Sequence, residues 1–254
     1  MPMIVAKETI GAAPGEVGVY ASRLPRGHEI ALHRHDSAQL IFAKQGVMTV
    51  TAADGIWIVP PQRAVWMPAG LDHAIRCATR VEMRSLYFGR GQEPMAAGHC
   101  MVIQVSPLLR ELIVAAVETI PPPERLVHLL GLIGQEVRPL RALALHLPEP
   151  RHPTLCRITR QIRERPDLAT SLDAWGREVG ASRRTLTRRF IAETGLTFRQ
   201  WQRQARFHAA LSLLAEGEAV GRVAAATGFE SASAFASAFR RAFGTSPSRY
   251  FRPD

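Results

Sequence analysis

The chain has 254 residues, of which 46% are apolar, 21% charged and 7% aromatic, and it carries a formal charge of +10. This length fits one or two domains of roughly 100 to 200 residues, and the composition excludes a disordered, collagen-like or disulfide-framework chain. No apolar run approaches the roughly 18 residues of a bilayer span, and the start, Met1-Pro2-Met3-Ile4-Val5-Ala6-Lys7-Glu8, lacks the basic and long apolar regions of a signal peptide. A cytoplasmic protein with no membrane partner is expected. Three separated cysteines, Cys77, Cys100 and Cys156, form no CxxC pair and fit a reducing compartment.

Residues 20 to 105 read as short strands with frequent turns. Ala38 to Ala43 is apolar, Gly46 turns the chain, Val47 to Thr51 partly alternates, and Asp54-Gly55 is a hairpin signal before Ile56 to Val59. Ala64 to Met67 and Val81 to Leu86 follow at short spacing, a pattern of sandwiches and barrels. Within this region Gly27, His33-Arg34-His35, Gln39 and Gly46 have the spacing of the first cupin motif, with Gln39 where cupins usually carry Glu. Pro68 to His73 resembles the second motif, with Gln62 and Cys77 at its usual glycine and asparagine positions. The resemblance implies a cupin-type β-barrel over roughly residues 15 to 105. Residues 33, 35 and 39 differ by even numbers and so are expected on one sheet face, where His73 can join them. Three imidazoles and one oxygen donor suit Zn²⁺, Ni²⁺ or Fe²⁺. The alternative is a polar pocket in which His33, His35, Gln39 and His73 bind an organic molecule directly, with Trp57 and Trp66 as walls.

From Ser106 the period becomes helical. Ser106 can cap and Pro107 suits a first helical position, after which Leu108, Leu109, Leu112, Ile113, Ala116 and Val117 share one face. Pro121-Pro122-Pro123 breaks this helix, and Leu126, Leu130, Ile133 and Val137 then form a heptad-like stripe that can cover the barrel or pair two chains. Pro148-Glu149-Pro150-Arg151-His152-Pro153 reads as a stiff linker and a domain boundary.

The remaining segment is the basic one. Residues 151 to 254 hold 18 arginines against 9 acidic side chains, whereas residues 1 to 105 hold 10 basic against 8 acidic. Clustered cations of this kind favour a polyanion partner. The same pattern occurs twice, at Leu172 to Phe190 and at Val220 to Phe239: a short helix, a turn at Gly180 or Gly228, then a second helix capped by Ser182 or Ser231. This is helix-turn-helix grammar, and a long helix near Thr197 to Ala215 joins the two. Leu186 and Phe190 must face the core, which leaves Arg184, Thr187 and Arg188 outward to offer donors to guanine and a methyl to thymine. In the second unit Phe235, Phe239 and Phe243 form the core stripe, and Ser233, Ala236, Ser237 and Arg240 face outward, a weakly polar surface suited to backbone and shape recognition.

The stretch Arg206 to Arg252, with Gly228-Phe229-Glu230-Ser231-Ala232-Ser233-Ala234-Phe235 and Phe239-Arg240-Arg241-Ala242-Phe243-Gly244-Thr245-Ser246-Pro247-Ser248-Arg249-Tyr250, resembles the signature of the AraC/XylS family of bacterial transcription regulators. The resemblance covers about the last 100 residues. It implies seven helices whose two helix-turn-helix units enter successive major grooves, with base-reading positions at Arg184, Thr187, Arg188, Ser233 and Ser237. Arg183, Arg189, Arg240 and Arg241 are expected on phosphates. A cupin-type domain is the usual sensor of such regulators.

The expected architecture is α+β and multidomain. Residues 1–105 form a cupin-like sensor barrel, 106–147 a helical linker with dimerisation helices, and 153–254 an all-α DNA-binding domain with two helix-turn-helix motifs. The expected function is sequence-specific regulation of transcription, without enzymatic activity, in response to a small-molecule effector in the barrel. Expected partners are double-stranded promoter DNA, the effector, a second copy in a homodimer and RNA polymerase. The alternative is a metal-dependent cupin enzyme or metal sensor fused to a DNA-binding domain, and a divalent metal is the cofactor it requires.

Overall fold

The computed structural model describes residues 4–6, 14–95, 98–119, 121–140 and 145–251. Arg252, the last residue of the signature stretch, lies outside them, as do Lys7 and Glu8 at the start. The chain divides into two compact units, Met1–Ala53 with Trp57–Ala142, and Asp54–Ile56 with Leu143–Asp254.

In chain order the strands are β1 (Ile4–Ala6), β2 (Val17–Leu24), β3 (Glu29–His33), β4 (Ala38–Gln45), β5 (Met48–Ala52), β6 (Gly55–Val59, its first two residues counted with the second unit), β7 (Arg63–Met67), β8 (His73–Cys77), β9 (Val81–Phe88) and β10 (Met101–Gln104). The chain then passes to α1 (Pro107–Glu118), α2 (Pro123–Glu136) and β11 (Pro139–Leu140). One sheet has the order β1-β2-β9-β4-β7-β10-β11, and in the other β6, β5, β8 and β3 are neighbours. This is the expected pair of antiparallel layers of a cupin-like barrel.

The first sheet has two distinct faces because successive side chains alternate. Leu40, Phe42, Trp66, Leu86 and Phe88 form one core with Leu109, Leu112, Ile113 and Ala116 of α1 and Leu126, Ile133 and Val137 at α2. The heptad-like stripe is therefore used inside the chain: Leu126 and Ile133 are buried and Leu130 packs against the same core. Of the two roles its pattern allows, covering the barrel is the one these buried side chains serve, while Leu108, Val127 and Leu132 on the same two helices stay exposed. The expected Ser106 cap is present, with its hydroxyl accepting from the Leu109 amide at 3.0 Å. Arg84, buried on the same sheet face, pairs with Glu118 at the end of α1, and Lys44 reaches that carboxylate at 2.9 Å.

The second unit contains β12 (His146–Leu147), α3 (Pro153–Glu164), α4 (Leu172–Val179), α5 (Arg183–Thr194), α6 (Phe198–Ala215), α7 (Val220–Ala226) and α8 (Ala232–Phe243). Among the described residues it has six helices where the resemblance implies seven, and Pro247–Phe251 forms turns. Leu155, Ile158, Ile162, Trp175, Leu186, Phe190, Phe198 and Trp201 make one core. A second core is aromatic: Phe207, Phe229, Phe235, Phe239, Phe243 and Tyr250 meet ring to ring at centroid distances of 4.4 to 6.1 Å. The proline-rich segment before α3 is bound to this unit and is not a free spacer. Trp201 Nε1 donates to Pro148 O at 2.7 Å, Cys156 Sγ to Pro150 O at 2.9 Å, and the Arg151 and His152 amides to Glu193. Prolines lack N–H groups but keep their carbonyls, and those carbonyls anchor the segment.

Candidate functional site

The barrel site is built where the chain crosses from one sheet to the other. His33 ends β3, residues 34–37 leave the sheet, and Gln39 enters β4. The three positions do not share one strand face as the even spacing suggests. They converge because the crossing turns His35 back beside Gln39, with His35 Nε2 and Gln39 Oε1 3.1 Å apart. His73 opens β8, where it pairs directly with His33 in an antiparallel register. The imidazole centroids lie 4.3 Å apart for His33 and His73, 5.2 Å for His35 and His73, and 6.0 Å for His33 and His35. One ligand nitrogen from each ring lies within 4.8 Å of the others.

The backbone fixes which nitrogen each ring presents. His33 Nδ1 lies 2.9 Å from Ala31 O, His35 Nδ1 2.6 Å from Ser37 O, and His73 Nδ1 3.0 Å from Leu71 O. A carbonyl only accepts, so each Nδ1 carries a proton and Nε2 is the atom each ring can turn to a ligand. His73 is fully buried, its Nε2 has no hydrogen-bond partner, and burial lowers its pKa to about 4, so the ring is neutral at pH 7. The Nε2 lone pair of His35 meets the oxygen of Gln39, two acceptors that repel unless a shared proton, a cation or a half-turn of the amide intervenes. Three rings held through Nδ1, with Nε2 of His73 unpartnered and that of His35 facing Gln39 Oε1, are the arrangement of imidazole metal ligands backed by main-chain carbonyls. The donor set fits a divalent ion.

Gln39 is held from behind. Its amide nitrogen donates to Ser85 Oγ at 3.0 Å and Tyr87 OH at 2.9 Å, and the Tyr87 ring stands edge-on to His35. Burial pushes the Tyr87 phenol well above its usual range, so it stays protonated. Ser85 and Tyr87 escaped the sequence reading, which ended this strand at Leu86. Carrying the alternation of β9 two residues further puts Tyr87 on the face of Ser85. Trp66 is a correction: it pairs with Leu40, next to Gln39 on β4, so it faces the α1 and α2 side of the sheet and not the histidines. Trp57 is buried in β6.

The second site is the outer face of the two helix-turn-helix units. In the first, Gly180 closes α4 in the left-handed conformation (φ +68°) and Ser182 caps α5, accepting from the Thr185 amide at 3.1 Å. A Cβ at Gly176 would stand 2.5 Å from Ala181 O, so the turn packs against α4 only because no side chain intervenes. Leu186 and Phe190 are fully buried, which turns Arg184 and Arg188 into solvent with Thr187 half-buried beside them. Arg183 reaches back to Asp173 at 3.1 Å, both side chains being exposed. In the second unit Ser231 caps α8, accepting from the Ala234 amide at 3.1 Å, and Ser233 and Ser237 are exposed. Arg241 Nη1 donates to Ser237 Oγ at 2.8 Å, so its cation lies across the serine face, while Arg240 is exposed. The first residue of the signature stretch holds the unit together from within. Arg206 on α6 donates to Pro166 O at 3.2 Å and Leu168 O at 3.4 Å beneath the Phe229 ring.

Comparison with known proteins gives these features a family. Residues 16–146 match the AraC-like ligand binding domain and residues 175–253 a helix-turn-helix domain. The chain is 33% identical to the HTH-type transcriptional regulator NimR of Escherichia coli K12, over 86% of this chain and 81% of that one. It is 33% identical to the regulator RipA of Corynebacterium diphtheriae over 44% of this chain and 33% of that one. Among solved structures, ToxT from Vibrio cholerae aligns over 92% of this chain and 97% of its own with 10% identity and a TM-score of 0.40. Among the described residues no helix is long and apolar enough to cross a membrane. The chain belongs to the AraC family of DNA-binding transcriptional regulators, an AraC-like ligand-binding domain preceding its helix-turn-helix domain.

Proposed function

We propose that this regulator reads promoter DNA chiefly through α5, with Arg184, Thr187 and Arg188 on base edges, and that α8 contributes through Ser233 and Ser237 with less base discrimination. Arg183, Arg189, Arg240 and Arg241 take phosphates. The observation that carries this reading is the pair of exposed arginines on the face of α5 opposite Leu186 and Phe190, where a guanidinium can reach guanine N7 and O6. Selection from a random duplex pool tests it: the parent should return one defined sequence, and the Arg184→Ala/Arg188→Ala double variant should return none or a degenerate one.

The effector site is the barrel wall of His33, His35, Gln39 and His73, with the protein acting by binding and release and not by turnover. A cytoplasmic homodimer working with RNA polymerase completes the reading, and the dimer uses a surface other than the covered stripe of α2. His73→Ala should abolish the transcriptional response to effector while leaving basal DNA binding intact. Unchanged induction would remove the barrel wall from the mechanism.

A second reading is favoured by the three Nδ1 anchors and the orphaned Nε2 of His73. A divalent ion, Zn²⁺, Ni²⁺ or Fe²⁺, would be held by His33, His35 and His73 with Gln39 as the oxygen donor, and would supply a Lewis-acidic anchor for an effector. Metal content by mass spectrometry checks it: near one equivalent in the parent and none in His33→Ala/His35→Ala.

A further inference from the structure

Charge at the three-imidazole site identifies the chemical class of its effector. We propose that the barrel binds an anionic, bidentate oxygen chelator through a divalent cation, an inference that rests on the metal reading above. Among the described residues, the histidines are the one cluster of potential metal ligands, and no carboxylate belongs to it. Each imidazole directs Nδ1 at a carbonyl, which leaves Nε2 as its ligand atom, and an imidazole nitrogen brings no negative charge.

Gln39 stands where a carboxylate would cancel one charge, and its amide cannot ionise. The groups behind it bring no carboxylate either: the Gln39 amide donates to the Ser85 hydroxyl and to the Tyr87 phenol oxygen. Burial also raises the Cys77 thiol at the far end of β8. The two acids beside the histidines in sequence, Asp36 and Asp72, are exposed, and Asp72 acts on His73 through space.

A divalent ion in this wall keeps both positive charges against a buried imidazole and a buried amide, and uncompensated buried charge is strongly unfavourable. A ligand that brings negative charge is therefore favoured over a neutral one. Three imidazoles also leave coordination positions open, which two oxygens of one dianion can fill. The route in lies on the His33 side, because His33 is half-exposed and Leu32 and Arg34 around it are exposed. Arg34 places a cation at that opening, which raises the local concentration of an anion. A neutral organic effector would leave the ion's charge uncompensated.

Calorimetric titration of the Ni²⁺-loaded full chain with oxalate, and with its uncharged isostere oxamide, tests the class, and metal content is measured before and after. Oxalate should bind with the metal retained, at least about tenfold more tightly than oxamide. Gln39→Glu, which supplies the absent charge, should keep the metal and weaken oxalate by about tenfold or more. A parent that takes up no metal overturns the metal reading and this inference with it. A parent that holds metal but binds oxalate no better than oxamide, or that loses its metal to oxalate, overturns the inference alone. Equal oxalate binding by metal-free protein does the same, and so does a folded, metal-loaded Gln39→Glu that binds oxalate like the parent.

Discussion

An arginine on a recognition helix contributes in one of two ways, and the two leave different signatures. A guanidinium forked onto guanine discriminates among bases, whereas one on a phosphate strengthens every sequence alike. Arg188 is exposed on the base-facing side of α5, so Arg188→Ala should lower affinity for the selected site by about 1 to 3 kcal/mol and relax preference at one position. Arg241 is tethered to Ser237 at the C-terminal end of α8, and Arg241→Ala should weaken specific and random DNA by the same factor. Fluorescence anisotropy with both duplexes separates the cases, and an Arg188→Ala variant with undiminished discrimination would refute the face assignment. The outward set on α5 was legible because Leu186 and Phe190 fix the helix phase. The barrel residues were legible only as a list. His33, His35, Gln39 and His73 stand out by spacing, but their convergence depends on a crossing between sheets, and the carbonyls of Ala31, Ser37 and Leu71 that set each tautomer carry no sequence signal.

At the level of elements, the sequence pattern marks a helix more reliably than it marks the helix's partner. The stripe on α2 was legible as an apolar face, but whether it meets its own barrel or another chain is decided by β4, β7 and β9, which present Leu40, Phe42, Trp66 and Leu86 to it. Ile133→Ala should therefore destabilise the barrel by about 2 to 5 kcal/mol, seen as a melting temperature lowered by the same amount at every protein concentration. The helix-turn-helix offers an opposite case, in which a substitution favourable for an isolated helix should harm the motif. Alanine is preferred over glycine inside a helix by about 1 kcal/mol. At Gly176 the added Cβ meets the Ala181 carbonyl at 2.5 Å, and such crowding costs about 1 to 3 kcal/mol. Gly176→Ala should lower the melting temperature of the helical unit, followed through the buried indole of Trp175. A higher melting temperature would mean that the turn can move away from α4 at no cost.

For the molecule as a whole, the uneven charge assigns separate jobs to the two halves of the sequence. Residues 151–254 carry twice as many basic as acidic side chains, while residues 1–105 are nearly balanced. Each phosphate neutralised releases counterions, so the logarithm of affinity should fall with the logarithm of salt concentration by about 0.9 per contact. Arg240 is exposed and Arg241 rests on a neutral serine, so both can reach phosphates without breaking an ion pair. Replacing both with alanine should reduce the slope by about 1.8. Arg183 must first leave Asp173, so part of its charge is already matched, and Arg183→Ala should change the slope by less than Arg240→Ala. His33→Ala/His35→Ala should leave the slope untouched, because those rings belong to the balanced part of the chain and not to the basic one. Anisotropy titrations of the full chain from 50 to about 300 mM salt resolve these differences. A slope that fails to change in the Arg240→Ala/Arg241→Ala variant would place the phosphate contacts elsewhere on the basic unit, and a slope that falls with the histidine variant would tie the barrel directly to DNA.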